Sequence, residues 1–161
     1  KLQAFGNYYH LYSDMFSYNA NISDGFGYGF GFILTLSDIF DLEGSIAFDK
    51  IKAAYKHGET EYNLKFNLLH FGTRFYPYRE TINFYYGLGF SGSNYTETLS
   101  NKKLYLDKEY NHSFSSIVGK IGCGYQISSK FIFEVSTGFY FNLSLNRVDM
   151  NLTNVGIIFD Y

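Results

Sequence analysis

The stretch GFGYGFGFILTLS, residues 25–37, alternates large apolar side chains with mostly small ones along its whole length. The large set is Phe26, Tyr28, Phe30, Phe32, Leu34 and Leu36. The set between them is Gly27, Gly29, Gly31, Ile33 and Thr35. A period of two is that of a β-strand, in which successive side chains point to opposite faces of the sheet. The stretch therefore predicts a strand with one large apolar face and one face of mostly small residues.

The same alternation recurs along the chain, separated by turn-like breaks. Further strand windows lie at 42–49, 62–76, 82–91, 116–127, 131–144 and 154–161, and the aromatic stretch 5–18 supplies an eighth whose phase the pattern does not fix. Short connections at 37–41, 77–81 and 128–130 alternate with longer ones at 55–61, 96–111 and 146–151. An even strand count with short periplasmic turns and longer extracellular loops is typical of bacterial outer-membrane barrels. Both chain ends are then expected on the periplasmic side.

The window 62–76 gives two phases. Its first half predicts Leu64, Phe66 and Leu68 on the outer face and Asn63, Lys65 and Asn67 on the inner face. Continuing that phase would turn Arg74 toward lipid, at a cost of roughly 2–4 kcal/mol near the midplane. We therefore expect a β-bulge near Leu68 or Leu69 that turns Arg74 inward. The residues expected outward beyond it are Leu69, Phe71, Thr73 and Phe75.

Composition narrows the class of protein. The 161 residues contain one Pro and no linker-like stretch, which predicts one domain over residues 1–161. Aromatic residues make up 22% of the chain, yet apolar runs such as 30–36 are far shorter than the roughly 20 residues of a membrane helix. Only helices and closed barrels satisfy all backbone polar groups in lipid. The sequence thus predicts an all-β fold, an eight-stranded antiparallel up-and-down transmembrane β-barrel.

The second face of the windows carries glycines and isolated charges of both signs. Inside a narrow barrel, which side chains just fill, buried charges must be paired. We therefore predict a structural interior network of Glu43, Lys65, Arg74, Lys120 and Glu134. The alternative is a soluble lipocalin-like ligand-binding barrel, in which the large apolar side chains point inward and these charges meet water.

The last window combines Asn154, Gly156, Phe159 and Tyr161 in a pattern of polar, glycine, aromatic and aromatic residues. This resembles the outer-membrane assembly signal, in which both aromatics share the lipid-facing side. Together with residues 25–37 and 84–90, it makes the chain similar to the small outer-membrane barrels of the OmpA transmembrane domain and OmpX type. The chain departs from that type in lacking Trp and in carrying Tyr at the terminal aromatic position.

The resemblance implies residence in a Gram-negative outer membrane and insertion by the barrel assembly machinery. Implied contacts are with the lipid bilayer and lipopolysaccharide or an equivalent outer leaflet, and implied roles are envelope integrity, adhesion or host-factor binding. Residues 1–5 contain no apolar core of a signal peptide, so export requires that this be the mature or an engineered form.

The leading functional hypothesis is a membrane-spanning scaffold without catalytic activity, its lumen plugged by side chains. Residues 96–111 are then the first candidates for contact with a host or surface ligand. The alternative on the same scaffold is a lipid A-modifying enzyme, for which His57, His70 and His112 with Ser113, Ser115 and Ser116 are the residues to consider. The known His-x-Ser-Asn arrangement is not present, because the residues after His112 are Ser113, Phe114, Ser115 and Ser116, with no Asn among them.

No other site emerges from the sequence. The pattern predicts no catalytic, cofactor or metal site, and Cys123, the only cysteine, has no partner for a disulfide. The net charge of −2 and the absence of Lys/Arg clusters give no nucleic-acid footprint.

Overall fold

The structure is a computed structural model that describes residues 1–12, 24–54, 60–101 and 106–161. Its strands are β1 (Leu2–Leu11), β2 (Asp24–Ser37), β3 (Phe40–Ala54), β4 (Thr60–Phe75), β5 (Ile82–Asn101), β6 (Leu106–Gln126), β7 (Phe131–Asn142) and β8 (Arg147–Phe159). Among the described residues, no helix is long and apolar enough to cross a membrane.

Each strand pairs antiparallel with the next, and β1 pairs with β8, so the sheet closes into a barrel. This confirms the predicted fold class. The short connections β2–β3, β4–β5 and β6–β7 lie at one end. Lys1 and Asp160 also lie there, joined by a salt bridge of 2.7 Å between Nζ and Oδ2.

The large apolar side chains point out of the barrel. Phe26 is 73% exposed, Phe90 is 68% exposed and Ile121 is 59% exposed. The predicted outer and inner faces of residues 25–37, 42–49, 82–91 and 131–142 agree with the burial pattern. A water-soluble barrel would place these side chains in its core, so the outer surface is that of a protein surrounded by lipid.

The predicted phase for the first half of β4 is wrong, and so is the predicted bulge. Pairing of β4 with β3 runs without a register shift from Phe75 to Glu61. Leu64, Phe66 and Leu68 are buried inside, and the outward residues are Asn63, Lys65 and Asn67. The band of exposed apolar side chains that includes Phe26, Phe90 and Ile121 is called the apolar belt. The reason for the difference is that β4 continues past this belt, where the outer face meets water and the large side chains pack inward.

An aromatic cluster lies inside the barrel where β4 continues beyond the apolar belt. The ring of Phe66 lies 4.7 Å from that of Tyr9 and 5.3 Å from that of Tyr95. Leu64, Leu99, Met150 and Leu152 belong to the same buried cluster. Burying this apolar surface stabilises the part of the barrel that projects beyond the membrane.

Two predicted long loops are largely strand. Residues 96–101 and 106–111 continue the β5–β6 ladder, and β8 begins at Arg147 rather than after residue 151. Residues 13–18 of the first predicted window, 55–59 of the next loop and 102–105 lie outside the described residues. The two long segments were predicted to be loops because the polar residues of a strand that projects into water have the composition of a loop.

Glycine is required where interior side chains press against the barrel wall. A Cβ at Gly156 would lie 2.6 Å from Cβ of Phe5, and one at Gly27 would coincide with the carboxylate of Asp49. Real Cβ atoms do not approach this closely, so these two glycines make room for their neighbours.

The apolar belt predicts that a charged substitution on the outer face destabilises the barrel by an amount that depends on its depth in the membrane. We expect Leu88→Arg to lower the free energy of unfolding by about 2–4 kcal/mol, because position 88 faces lipid between apolar neighbours. The matched change Asn67→Arg, on the outer face beyond the belt, should cost about 0–1 kcal/mol. Urea unfolding in lipid vesicles, followed by far-UV circular dichroism, measures both values. Equal losses would contradict the assigned lipid-facing belt.

Candidate functional site

The most completely buried charge is the guanidinium of Arg74, on β4. Its side chain has no exposed surface. Its Nε donates to Oε2 of Glu43 at 2.7 Å, while Nη1 and Nη2 donate to the two carboxylate oxygens of Glu134. Arg74 therefore bridges β3 and β7 across the lumen, and its pairing with Glu134 is bidentate, the strongest geometry for such a pair.

Glu43 holds a second cation. Lys120 Nζ, on β6, donates to its two oxygens at 3.1 and 2.8 Å, and His70 Nε2 lies 3.1 Å from Oε1. Glu134 receives further donors, since Gln3 Nε2 lies 2.8 Å and the Tyr85 hydroxyl 3.0 Å from its Oε1. The carboxylates are thus satisfied by several partners, as buried charges must be.

Two glutamates face one arginine and one lysine, so the charges of this central network balance. The Tyr85 ring lies 4.4 Å from Cζ of Arg74, in cation–π contact. A second pair lies toward the short turns, where Arg79 donates to Asp41 and stacks 4.0 Å over the Tyr76 ring. These two layers place mutually bonded, oppositely charged side chains in the interior of the barrel.

The structure brings together four of the five residues singled out for the interior network: Glu43, Arg74, Lys120 and Glu134. Lys65 is a correction, because it is exposed on the outer face near the extracellular end of β4. Its misplacement follows from the wrong phase for that half of β4. Sequence reasoning also missed Gln3, His70 and Tyr85. His70 and Arg74 share one face of β4, so the correct phase would have found His70.

The residues of the terminal motif occupy β8 and the residues after it. Asn154 is buried inside the barrel, and Gly156 lies against Phe5. Phe159 faces outward with its ring 5.4 Å from that of Phe131, and Tyr161 is 82% exposed. The two aromatics therefore lie on the lipid-facing side.

The residues considered for lipid A chemistry are not assembled into a catalytic group. His112 Nε2 lies 3.2 Å from Oε1 of Glu97 inside the barrel, whereas the hydroxyl of Ser113 bonds Asn94 on the outer face. His70 is enclosed in the central network, and His57 lies outside the described residues. Within the described ranges, no group of three or more His, Cys, Asp or Glu side chains could hold a metal ion.

The strands β5 and β6 are the longest of the described strands. All 20 residues of β5 pair with β6, although a transmembrane strand needs only about 9–11. The far outer face of this β5–β6 hairpin is polar: Thr96 donates to Asn111 and Ser113 donates to Asn94, both at 2.8 Å. Inward, Tyr95 and Leu99 join the apolar cluster. The hairpin is thus built to stand in water.

Closed strand pairing, an apolar outer belt and a buried interior network of ion pairs together define a small transmembrane β-barrel of the outer-membrane type. No protein-family model and no curated protein sequence matches this chain.

Solved structures share its architecture. Ail, the attachment invasion locus protein of Yersinia pestis, has a TM-score of 0.68 at 13% identity, covering 98% of this chain and 95% of that one. Neisserial surface protein A has 0.70 at 13%, covering 99% and 96%. The outer membrane protein OprG from Pseudomonas aeruginosa has 0.70 at 14%, covering 99% and 95%. This likeness is one of fold, in agreement with the predicted eight-stranded antiparallel barrel.

The two lysines offer a matched test of the interior network. We expect Lys120→Met to cost about 3–5 kcal/mol, because it leaves a buried carboxylate without one of its cations. Lys65→Met removes an exposed charge and should change stability by about 0.5 kcal/mol or less. Urea unfolding in vesicles compares the two. Similar losses would show that Lys120 does not stabilise the barrel through Glu43.

Arg74 and Glu134 should behave as one unit. We expect Arg74→Met and Glu134→Gln each to destabilise the barrel. The double variant should lose less than the sum of the single losses, by about 0.5–3 kcal/mol, because each single change strands the partner charge. A double-mutant cycle of unfolding free energies measures this difference, and strict additivity would contradict direct coupling.

Proposed function

We propose that this protein is an integral outer-membrane scaffold without catalytic activity, whose extracellular β5–β6 hairpin contacts a host or surface ligand. The observation that carries the proposal is the contrast between the two parts of the molecule. The interior holds a charge-balanced network of buried side chains, whereas the hairpin projects well beyond the length that the membrane requires.

The buried interior network argues against transport of solutes as the main role. Side chains from β1, β3, β4, β5, β6 and β7 meet around Arg74, and opening a passage would require the buried ion pairs to separate. Breaking one such pair costs about 3–5 kcal/mol. A rigid, closed barrel is suited to hold an extracellular element in place.

The hairpin offers a surface for recognition. The outward side chains of Asn94, Thr96, Asn111 and Ser113 are short and polar, and cross-strand hydrogen bonds hold them in fixed positions. Binding residues on a rigid support lose little conformational entropy when a ligand binds. The Ail complex with sucrose octasulfate, a heparin analogue, makes a sulfated glycan one suitable probe for this chain.

The proposal includes recognition of β8 by the barrel assembly machinery through Asn154, Gly156, Phe159 and Tyr161. The outward direction of both aromatic rings supports it, because they are accessible on one strand face. Replacing both aromatics with Ser should reduce insertion into the outer membrane of cells while leaving refolding in detergent intact.

A hairpin replacement tests the proposed role. Exchanging residues 96–111 for Asn-Gly would close the hairpin with a two-residue turn after the Tyr95–His112 pair. We expect the shortened protein to keep its faster migration on unboiled SDS gels, because the membrane-embedded pairing is unchanged. Adhesion of expressing bacteria to host cells should fall to the level of cells without the protein.

Lys130→Ser, in a short turn at the opposite end, is the control and should leave adhesion unchanged. Retained adhesion by the folded, shortened protein would overturn the proposed role of the hairpin. Absence of a heat-dependent mobility shift in the original chain would overturn the membrane barrel itself.

A further inference from the structure

The lipid-facing surface is interrupted by polar side chains on four adjacent strands, β7, β8, β1 and β2. Register places Thr137 beside Thr153 and Thr153 beside Tyr8, and it places Asn151 beside His10 and His10 beside Asp24. These six outward-facing residues form one continuous area, which we call the rim patch: Tyr8, His10, Asp24, Thr137, Asn151 and Thr153.

Hydrogen bonds order the rim patch. The Tyr8 hydroxyl donates to Oδ1 of Asp24 at 2.7 Å, and His10 Nδ1 lies 2.8 Å from the same oxygen. Further from the extracellular rim, Thr137 donates to Oδ1 of Asn151 at 3.1 Å, and Thr153 donates to Thr137 at 3.3 Å. The side chains of His10 and Asp24 remain 43% and 44% exposed, so the patch presents a surface.

The position of the rim patch fixes what surrounds it. His10 and Asp24 lie near the extracellular ends of β1 and β2. Phe26, Phe139 and Val155, which are 73%, 48% and 47% exposed, border it as part of the apolar belt. The patch therefore reaches from the extracellular rim into the level of the outer leaflet. Hydrogen bonds within the patch use only part of the donor and acceptor capacity of these side chains, so a polar neighbour at the membrane surface would lower the cost of placing them there.

We propose that the rim patch binds the saccharide headgroup of an outer-leaflet glycolipid, an inference that rests on the membrane location in the proposed function. A headgroup rich in hydroxyls both donates and accepts hydrogen bonds, which suits the hydroxyls, amide, carboxylate and imidazole of the patch. The Tyr8 and Phe26 rings, 5.3 Å apart, offer an apolar surface for a sugar face. Val155 and Ile157 below can contact the acyl chains.

The charge of the patch favours a sugar over a bare phosphate group. Asp24 brings a carboxylate to the part of the patch nearest the extracellular rim, where the Tyr8 hydroxyl and His10 contact it. A phosphate would meet repulsion from this carboxylate, whereas neutral hydroxyls can bond to it. The occupant is thus recognised by its sugar hydroxyls.

The test uses the full chain refolded in detergent micelles and mixed with purified lipopolysaccharide, with phosphatidylglycerol as a phosphate lipid without sugar. Native mass spectrometry counts the lipid molecules retained by the protein. We expect preferential retention of lipopolysaccharide, reduced about tenfold in the double variant Asn151→Leu/Thr153→Val, as for the loss of one or two hydrogen bonds. The control Asn67→Leu changes an outward Asn on β4, outside the patch, and should retain lipopolysaccharide as the original chain does.

The outcomes separate this inference from the proposed function. Folded protein that retains both lipids equally, or a double variant with unchanged retention, overturns glycolipid binding and leaves the membrane scaffold standing. Loss of a protein dimer in the double variant, without loss of lipopolysaccharide, identifies the patch as a contact between two copies and also overturns it. If the chain does not fold in micelles at all, that result contradicts the proposed membrane scaffold instead.

Discussion

The enclosed guanidinium of Arg74 is the constraint on which the interior depends. A buried cation must be neutralised where it lies, and Arg74 meets Glu43 and Glu134 on strands from opposite parts of the wall. Each carboxylate has spare acceptor capacity, which Lys120 and His70 use on one side and Gln3 and Tyr85 on the other. One charge thus holds six strands at a fixed separation.

A closed interior moves the sites of interaction to the outside. The barrel presents three different surfaces: an apolar belt for lipid, a polar hairpin for water and the rim patch at the boundary between them. Each surface is specified by the outward-facing half of the same strands, because alternate residues serve the interior. Changes to outward residues can therefore alter binding without disturbing the network around Arg74.

Much of the fold could be predicted from alternation alone. Residues 25–37 keep one phase, because β2 lies mostly within the belt and its glycines leave only one large face. The charges Glu43, Arg74, Lys120 and Glu134 could be chosen because a charge on the small-residue face must be buried. Lys65 and the predicted loop at 96–111 could not be placed correctly, because outside the membrane the outward face becomes polar and the apolar set turns inward. Gln3 was missed because the first strand is too short and too aromatic to reveal its phase.

The apparent phase change in β4 carries information about the membrane. Its apolar set switches faces between Leu68 and Leu69, yet the strand is unbroken. The switch recurs on β5 between Phe90, which faces out, and Tyr95, which is buried, and Gly92 of β5 pairs with Leu69. Gly92 also pairs with Ser115 of β6, beyond which the outward residues are polar. Three adjacent strands change character at neighbouring positions, which one shared lipid–water boundary explains and three independent bulges would not. An inversion of the apolar face in a continuous strand is therefore a marker of where the bilayer ends.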